Sequence, residues 1–349
     1  MKNNINKILS LVEEFLKVPS IIGFESLFLK YLNDKISKFE GDYSLNLNEE
    51  YLIIKPKKNY NKYTSFGKRE KIIFSAHVDR HGFILNEDDE IEYLAYYLKK
   101  KNGLKFKRDI YDFYLSCGQR HTHDFIYSFD KNLGNINDKY FIERFNLDWK
   151  NKLVTFEVDK KINSNKDKLF MLNPELKLKD KYFFGQIDNV ISVAVLVYLL
   201  EKNKIQNEII FTTKEEIGFS YKNVLKYLNK IKVENSIKII TLDTSPYENF
   251  KDKKNGFLVL REGDENGSFD LDLINDLKKK LEYLGIPFYF KSSNNGMTEL
   301  GRISSESKGV FNGATLQLPT LNYHTTYETA TIESLENYLK IIDEINKTL

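Results

Sequence analysis

The feature that most constrains the fold is the alternation of strand-like and helix-like segments from about residue 183 onward. The β-branched runs EIIFTT and SIKIITLD alternate with a buried-helix pattern, NVISVAVLVYLLEKN, and an amphipathic one, YKNVLKYLNKIK. The same rhythm continues through LINDLKKKLEYLG, IPFYF and ATLQLPTLNYH to a closing helix, SLENYLKIIDEINKTL. This alternation predicts an α/β fold with a mixed, mostly parallel sheet flanked by helices.

The first half of the chain divides into two parts. Helix patterns at about 5–17 and 25–37 and strand patterns at 51–58 and 71–79 fit the same α/β domain. Residues 87–180 break the rhythm, because their aromatic and β-branched residues are scattered and their apolar runs are too short for long helices. We therefore expect one α/β domain formed by 1–86 and 181–349, with a β-rich segment, 87–180, inserted into it.

Composition and charge exclude several function classes. The 349 residues include 53 basic and 50 acidic side chains, a balance that gives no clustered basic face for nucleic acid. Cys117 is the single cysteine, so no internal disulfide can form and a reducing, cytoplasmic location is expected. The longest apolar run, VISVAVLVYLL, is well short of the ~20 residues that a membrane-spanning helix needs. No membrane partner is expected.

Metal-competent side chains follow several of the predicted strands. In an open α/β sheet, functional groups gather beyond the carboxyl ends of the strands. Each one alone fits a buried core histidine or a helix cap, but together two histidines and several carboxylates suit a pair of zinc-like ions. The residues concerned are His77, Asp79, Asp188, Glu215, Glu216, Asp243 and His324.

Five segments occur in the order and spacing of one known family: SAHVDRHGFIL, GQIDNVISVAVLVYLL, FTTKEEIGFS, ITLDTS and LPTLNYHTTYETATIESLENYLKII. The chain resembles the co-catalytic metalloaminopeptidases that assemble as hollow tetrahedral particles, the glutamyl- and deblocking-aminopeptidase group of metallopeptidase family 42. The resemblance implies a zinc-exopeptidase-like catalytic domain whose insert, 87–180, is a β-rich dimerisation domain. It also implies peptide substrates, a homo-oligomer that can reach a tetrahedral dodecamer, and two divalent ions per subunit, zinc first, with cobalt and manganese as alternatives.

The resemblance also assigns roles to individual residues. Asp188 would bridge both ions, and its peptide bond to Asn189 would be cis. His77 and Asp243 would complete one ion site, and Glu216 and His324 the other. Asp79 would orient the imidazole of His77, while Glu215 would be the general base that activates the metal-bridging water.

Two alternative functions stay open beside an aminopeptidase that removes N-terminal residues from peptides. One is a related co-catalytic hydrolase, a deacetylase or a carboxypeptidase acting on acylated amino acids. The other is a metal-stabilised assembly protein without turnover. The preferred N-terminal residue and the roles of Arg80 and His81 are not indicated. Cys117, His121 and His123 could be a third metal site, but a structural role is favoured because a fourth ligand at usual spacing is missing.

Overall fold

The fold is taken from a computed structural model that describes residues 2–39, 43–57, 71–102, 117–148, 153–231, 237–246, 256–291 and 296–348. Its helices include α1 (Lys2–Leu16), α2 (Ser26–Ile36), α3 (Leu94–Lys101), α4 (Val190–Glu201), α5 (Ser220–Leu228), α6 (Leu271–Tyr283), α7 (Glu299–Glu306) and α8 (Ile332–Thr348). None of the helices within these residues is long and apolar enough to span a membrane.

The centre of the molecule is an eight-stranded sheet. Its strands are β1 (Tyr43–Leu47), β2 (Tyr51–Pro56), β3 (Lys71–His77), β12 (Glu208–Thr212), β13 (Ile237–Pro246), β14 (Leu258–Arg261), β17 (Phe288–Lys291) and β18 (Asn312–Thr320). They are ordered β1–β2–β12–β3–β13–β18–β14–β17, and the pairings β12–β3, β3–β13, β13–β18 and β14–β17 are parallel. The predicted mixed, mostly parallel α/β fold is therefore confirmed.

The four central strands are parallel neighbours, so their carboxyl ends lie along one edge of the sheet. Helix α4 packs against this sheet, and its residues from Val190 to Leu200 are all buried. Its apolar residues occupy every face of the helix, as the sequence pattern predicted, because the helix is enclosed by α1, α2 and the central strands. The residue just before α4, Asp188, is thereby fixed next to the edge where the parallel strands end.

A closed barrel follows the third strand of the central sheet. The barrel strands are β4 (Gly82–Leu85), β5 (Ile91–Tyr93), β6 (Phe125–Phe129), β7 (Ile136–Asp148), β8 (Leu153–Val158) and β9 (Leu169–Leu172). They run in the order β4–β5–β8–β7–β6–β9 around the barrel, whose interior is a second apolar cluster that includes Phe83, Ile126 and Phe170. Residues 103–116 and 149–152 of this region lie outside the described residues. The division of the chain into a catalytic and a dimerisation domain stays a prediction.

Two small sheets complete the structure. In the first, β10 (Lys177–Lys179), β11 (Tyr182–Gly185) and β19 (Glu328–Thr331) pair antiparallel and bring the segments before Asp188 and after His324 together. In the second, β15 (Gly263–Asp264) pairs with β16 (Gly267–Ser268). The first of these sheets matters for the site, because it joins two distant parts of the sequence at one point.

Candidate metal centre

The carboxyl edge of the central sheet collects all seven of the side chains singled out in the sequence. His77 is the last residue of β3, and Asp243 lies within β13. Glu215 and Glu216 lie in a turn after β12, which ends at Thr212. His324 lies in a turn four residues beyond β18, so the expected strand through residue 324 ends earlier, at Thr320.

The first half of the centre is formed by His77, Asp188 and Asp243. Nε2 of His77 lies 3.3 Å from Oδ1 of Asp188 and 3.4 Å from Oδ1 of Asp243. Burial by itself would lower the pKa of His77, but Asp188, Asp243 and Asp79 around it raise that pKa well above its usual value. This shift indicates concentrated negative charge, which a bound cation would offset.

The second half of the centre is formed by Glu216 and His324 with the other oxygen of Asp188. Nε2 of His324 lies 3.4 Å from Oδ2 of Asp188 and 3.5 Å from Oε2 of Glu216. Asp188 therefore directs one carboxylate oxygen at each of two imidazoles.

Two residues of the centre have an uncommon backbone conformation. His324 and Lys214, the residue before the glutamate pair, both have φ values of 62°. Residues other than glycine rarely adopt this conformation, and it is frequent at functional sites.

The donor atoms of this centre suit divalent metal ions. Ligand atoms about 2.0–2.2 Å from a tetrahedral ion lie about 3.3–3.6 Å from one another, which is the spacing of these side chains. Both carboxylate oxygens of Asp188, Oε1 of Glu216 and Nε2 of His324 are buried without a hydrogen-bond partner among the described residues. Buried polar atoms are normally paired, so their convergence without hydrogen bonds favours metal ligation.

Asp79 lies beneath both parts of the centre. Its Oδ1 accepts a hydrogen bond from the backbone N–H of Glu215 at 2.9 Å, and its Oδ2 accepts one from Glu216 at 3.0 Å. The same Oδ1 is 3.6 Å from Nδ1 of His77, whereas the backbone oxygen of Asp79 is closer, at 3.2 Å. The carboxylate thus fixes the backbone of the glutamate pair, while the carbonyl is the nearer acceptor for the imidazole.

The carboxylate of Glu215 differs from that of its neighbour in its surroundings. Within the described part of the chain its carboxylate makes no hydrogen bond and no ion pair, whereas Oε2 of Glu216 faces two imidazoles. Burial raises the pKa of Glu215 well above its usual value; the charge of His77 opposes this rise, and Asp243, Glu216 and Asp79 add to it. A carboxylate that is not a ligand and holds protons more tightly than usual is suited to proton transfer.

Glu328 also belongs to the centre, and no sequence pattern singled it out. Its Oε2 accepts a hydrogen bond from the backbone N–H of Asp188 at 2.8 Å, and its Oε1 accepts one from His324 at 2.7 Å. It is fully buried and therefore positions the two halves of the centre relative to each other. The sequence indicates Glu328 only as the single charged residue in YETAT, a segment that otherwise suits a buried strand.

The peptide bond between Asp188 and Asn189 is cis, so the conformation implied by the family resemblance is confirmed. The side-chain amide of Asn189 donates a hydrogen bond to the backbone oxygen of Leu242 at 2.7 Å. This contact ties the segment that carries Asp188 to β13, next to Asp243.

Arg80 and His81 are adjacent in the sequence but have different surroundings. Arg80 is buried and structural, because its guanidinium donates hydrogen bonds to Oγ of Ser20 and to the backbone oxygens of Leu16 and Val18. His81, whose role the sequence did not indicate, lies at the centre, with Nε2 3.0 Å from Oε2 of Glu216.

Cys117, His121 and His123 lie in the barrel region. His121 is buried beside Tyr93, and His123 stacks on Phe141. In the part of the chain that the structure describes, the groups of three residues able to hold a metal do not include any of the three. The structural role that the sequence favoured for them stays a prediction.

Comparison with known proteins adds a family and a set of similar folds. A family model described as M42 glutamyl aminopeptidase matches residues 167–341, half of the chain. No curated protein sequence matches significantly.

Solved structures resemble the chain over nearly its whole length. A TET aminopeptidase from a marine-sediment thaumarchaeote is 13% identical with a TM-score of 0.73, covering 99% of this chain and 97% of its own. An aminopeptidase of Desulfurococcus kamchatkensis is 13% identical with a TM-score of 0.72, covering 99% and 96%. The TET1 peptidase of Pyrococcus horikoshii, which can assemble into a tetrahedron or a large octahedral shell, is 15% identical with a TM-score of 0.66, covering 97% and 99%. At these identities the likeness shows the fold.

Proposed function

The chain belongs to the M42 glutamyl aminopeptidase family, and we propose that it removes N-terminal residues from peptides by means of two divalent metal ions. Membership makes it a metalloaminopeptidase; the number of ions, their ligands and the general base are our proposal. The observation that carries it is the placement of Asp188, whose two oxygens lie 3.3 and 3.4 Å from the imidazoles of His77 and His324. A carboxylate between two imidazoles fits a bridge between two ions.

The proposed ligands divide into two sets that share Asp188. One ion is held by His77, Asp188 and Asp243, and the other by Asp188, Glu216 and His324. Mixed imidazole and carboxylate sets accept zinc, cobalt and manganese, and we propose zinc, with the other two as alternatives.

The protein side chains have separate tasks in the proposed reaction. When bound, the metal ions polarise the peptide carbonyl and lower the pKa of water toward about 7. Glu215 accepts a proton from the attacking water and later returns a proton to the leaving amine, which its free carboxylate and raised pKa support. Asp79 holds the backbone of Glu215, so the base keeps its orientation toward the centre.

A panel of fluorogenic aminoacyl substrates, measured with zinc, cobalt and manganese in turn, tests this function. We expect hydrolysis of substrates with a free α-amine and none of their N-acylated counterparts. Cleavage of the acylated set alone would instead identify a deacylase or carboxypeptidase of related chemistry. Tight metal binding without turnover of any substrate would identify an assembly protein without catalytic activity. The same panel identifies the preferred N-terminal residue.

Asp79→Asn is expected to lower kcat by about 10–100-fold. The carboxylate of Asp79 accepts hydrogen bonds from two backbone N–H groups, those of Glu215 and Glu216. Asparagine has only one acceptor oxygen, so its NH₂ group would face the second N–H group and the glutamate pair would shift. Steady-state kinetics at saturating metal measures the effect. Asp167→Asn is the matched control, since Asp167 is a buried carboxylate of the barrel region that accepts hydrogen bonds from the side chains of Ser128, Asn137 and Tyr140. An equal loss of kcat in both variants would mean that Asp79 acts only through general stability.

We further propose that the chain forms a homo-oligomer through the β-rich insert, 87–180, while 1–86 and 181–349 form the catalytic domain. Support comes from the assembly stated for the Pyrococcus horikoshii peptidase and from the separate apolar core of the barrel. Multi-angle light scattering is expected to give a mass several times the 41.1 kDa of one chain. A monomer at micromolar concentration would contradict the proposal and leave the catalytic one intact.

A further inference from the structure

His81 is held rigidly against the metal centre by its backbone. The neighbouring Arg80 donates its N–H to the backbone oxygen of Ser20 at 2.9 Å and accepts from Ile22 at 3.1 Å. The carbonyl of His81 accepts a hydrogen bond from the side chain of Gln186 at 2.9 Å. His81 is directly followed by strand β4, so its position is fixed on both sides.

The imidazole of His81 points at the second half of the centre. Its Nε2 lies 3.0 Å from Oε2 of Glu216, and its ring centroid is 4.2 Å from that of His324. One ligand atom from each of these three residues lies within 4.8 Å of the other two. The ring also stacks on Tyr93, with the centroids 5.4 Å apart, and this contact restricts its plane.

Both ring nitrogens of this imidazole are buried. His81 is only 5% exposed, and neither ring nitrogen has a hydrogen-bond partner of acceptable geometry among the described residues. A buried donor or acceptor without a partner destabilises the folded state, so such atoms normally have a partner. Two imidazoles and one carboxylate that converge in this way form a common zinc-binding set.

We propose that His81 is an additional ligand of the ion held by Glu216 and His324. This inference rests on the proposed function and adds a ligand outside the set expected from the sequence. The ion then has four protein ligands, counting Asp188, whereas the ion at His77 and Asp243 has three. Four protein ligands are typical of a closed site and three of a site with an open position. The imidazole of His81 also favours zinc or cobalt over manganese as the ion at Glu216 and His324.

Equilibrium dialysis of zinc against the wild type and His81→Phe tests the proposal directly. We expect His81→Phe to bind one ion as tightly as the wild type and the other ion more weakly. The loss of affinity for that second ion should exceed the factor of about 10–100 that follows from losing a residue that only hydrogen-bonds to a ligand. His81→Gln, which keeps a polar side chain, is expected to show the same loss. His121→Phe is the matched control, because His121 is an equally buried imidazole beside the same Tyr93.

Two further readouts do not depend on activity. Metal-free wild type and His81→Phe should melt at similar temperatures, while added zinc should stabilise the variant less, because stabilisation follows the affinity of the folded state. X-ray absorption of the two-zinc protein should find three imidazoles, from His77, His81 and His324, for two ions, against two imidazoles in the variant.

The outcomes separate this inference from the proposed function. Two ions bound with unchanged affinity by His81→Phe would overturn ligation by His81 and leave the two-metal aminopeptidase standing. A wild type that binds no zinc and cleaves no substrate would overturn both. An equal loss of zinc in His121→Phe would also overturn the inference, because the effect would then come from packing against Tyr93.

Discussion

Glu215→Gln is expected to lower kcat by about 10²–10⁴-fold, the range for losing a general base. Glutamine keeps the size and shape of the side chain but cannot accept a proton from the attacking water. The carboxylate of Glu215 has no hydrogen-bond or ion-pair partner among the described residues, and it is not one of the proposed ligands. The zinc content and the melting temperature are therefore expected to stay close to those of the wild type. Steady-state kinetics, metal analysis and thermal unfolding on the same preparation measure all three.

A control for this substitution is an exposed glutamate outside the proposed metal centre. Glu282→Gln changes an exposed carboxylate on helix α6 that is 3.9 Å from Lys278, and it is expected to leave activity unchanged. Activity of Glu215→Gln within twofold of the wild type would show that this residue is not the base. A parallel loss of zinc would show instead that Glu215 is a ligand.

Glu216→Ala is expected to lose activity for a different reason from Glu215→Gln. The Glu216 side chain is 6% exposed, and its Oε2 lies 3.5 Å from Nε2 of His324 and 3.0 Å from Nε2 of His81. The substitution therefore removes a carboxylate from the proposed second ion site. We expect one of the two ions to bind at least about 100-fold more weakly, beyond the loss seen for outer partners. Activity should be nearly lost at limiting zinc and partly restored by excess zinc, because mass action refills the site.

The measurement for Glu216→Ala is activity as a function of free zinc, with Glu215→Gln assayed in parallel. Excess zinc should restore only the alanine variant, since Glu215→Gln retains its proposed ligands. If the two variants show the same mild effect and neither responds to zinc, the glutamate pair is only a charged turn, and the proposed mechanism is wrong.

Much of the fold was predictable because its elements carry local patterns. The alternation of β-branched runs with helix patterns predicted a mostly parallel sheet, and the continuous apolar run of α4 predicted a helix buried on all faces. Closure of the insert into a barrel was not predicted, since the antiparallel pairing of β4 with β9 joins residues more than 80 positions apart. Cytoplasmic location and the domain division stay predictions.

The site was predictable only as a set of side chains at strand ends. Parallel neighbours bring His77, Asp243 and the glutamate pair to one edge, so their grouping follows from strand order. The tasks within the group depend on angles and distances that no local pattern encodes. Asp79 was expected to orient an imidazole, yet its carboxylate mainly holds the backbone of Glu215 and Glu216.

The sequence by itself determined the secondary structure, the fold class and the side chains that converge, because hydrophobic period and strand-end position are local properties. Only the tertiary structure decided which atoms face each other. Asp188 directs its two oxygens at His77 and His324 because Glu328, 140 residues away, holds its backbone. His81 reaches Glu216 because β4 begins beside the centre and Tyr93 supports its ring. Such contacts depend on how distant segments pack, and packing is a property of the folded chain.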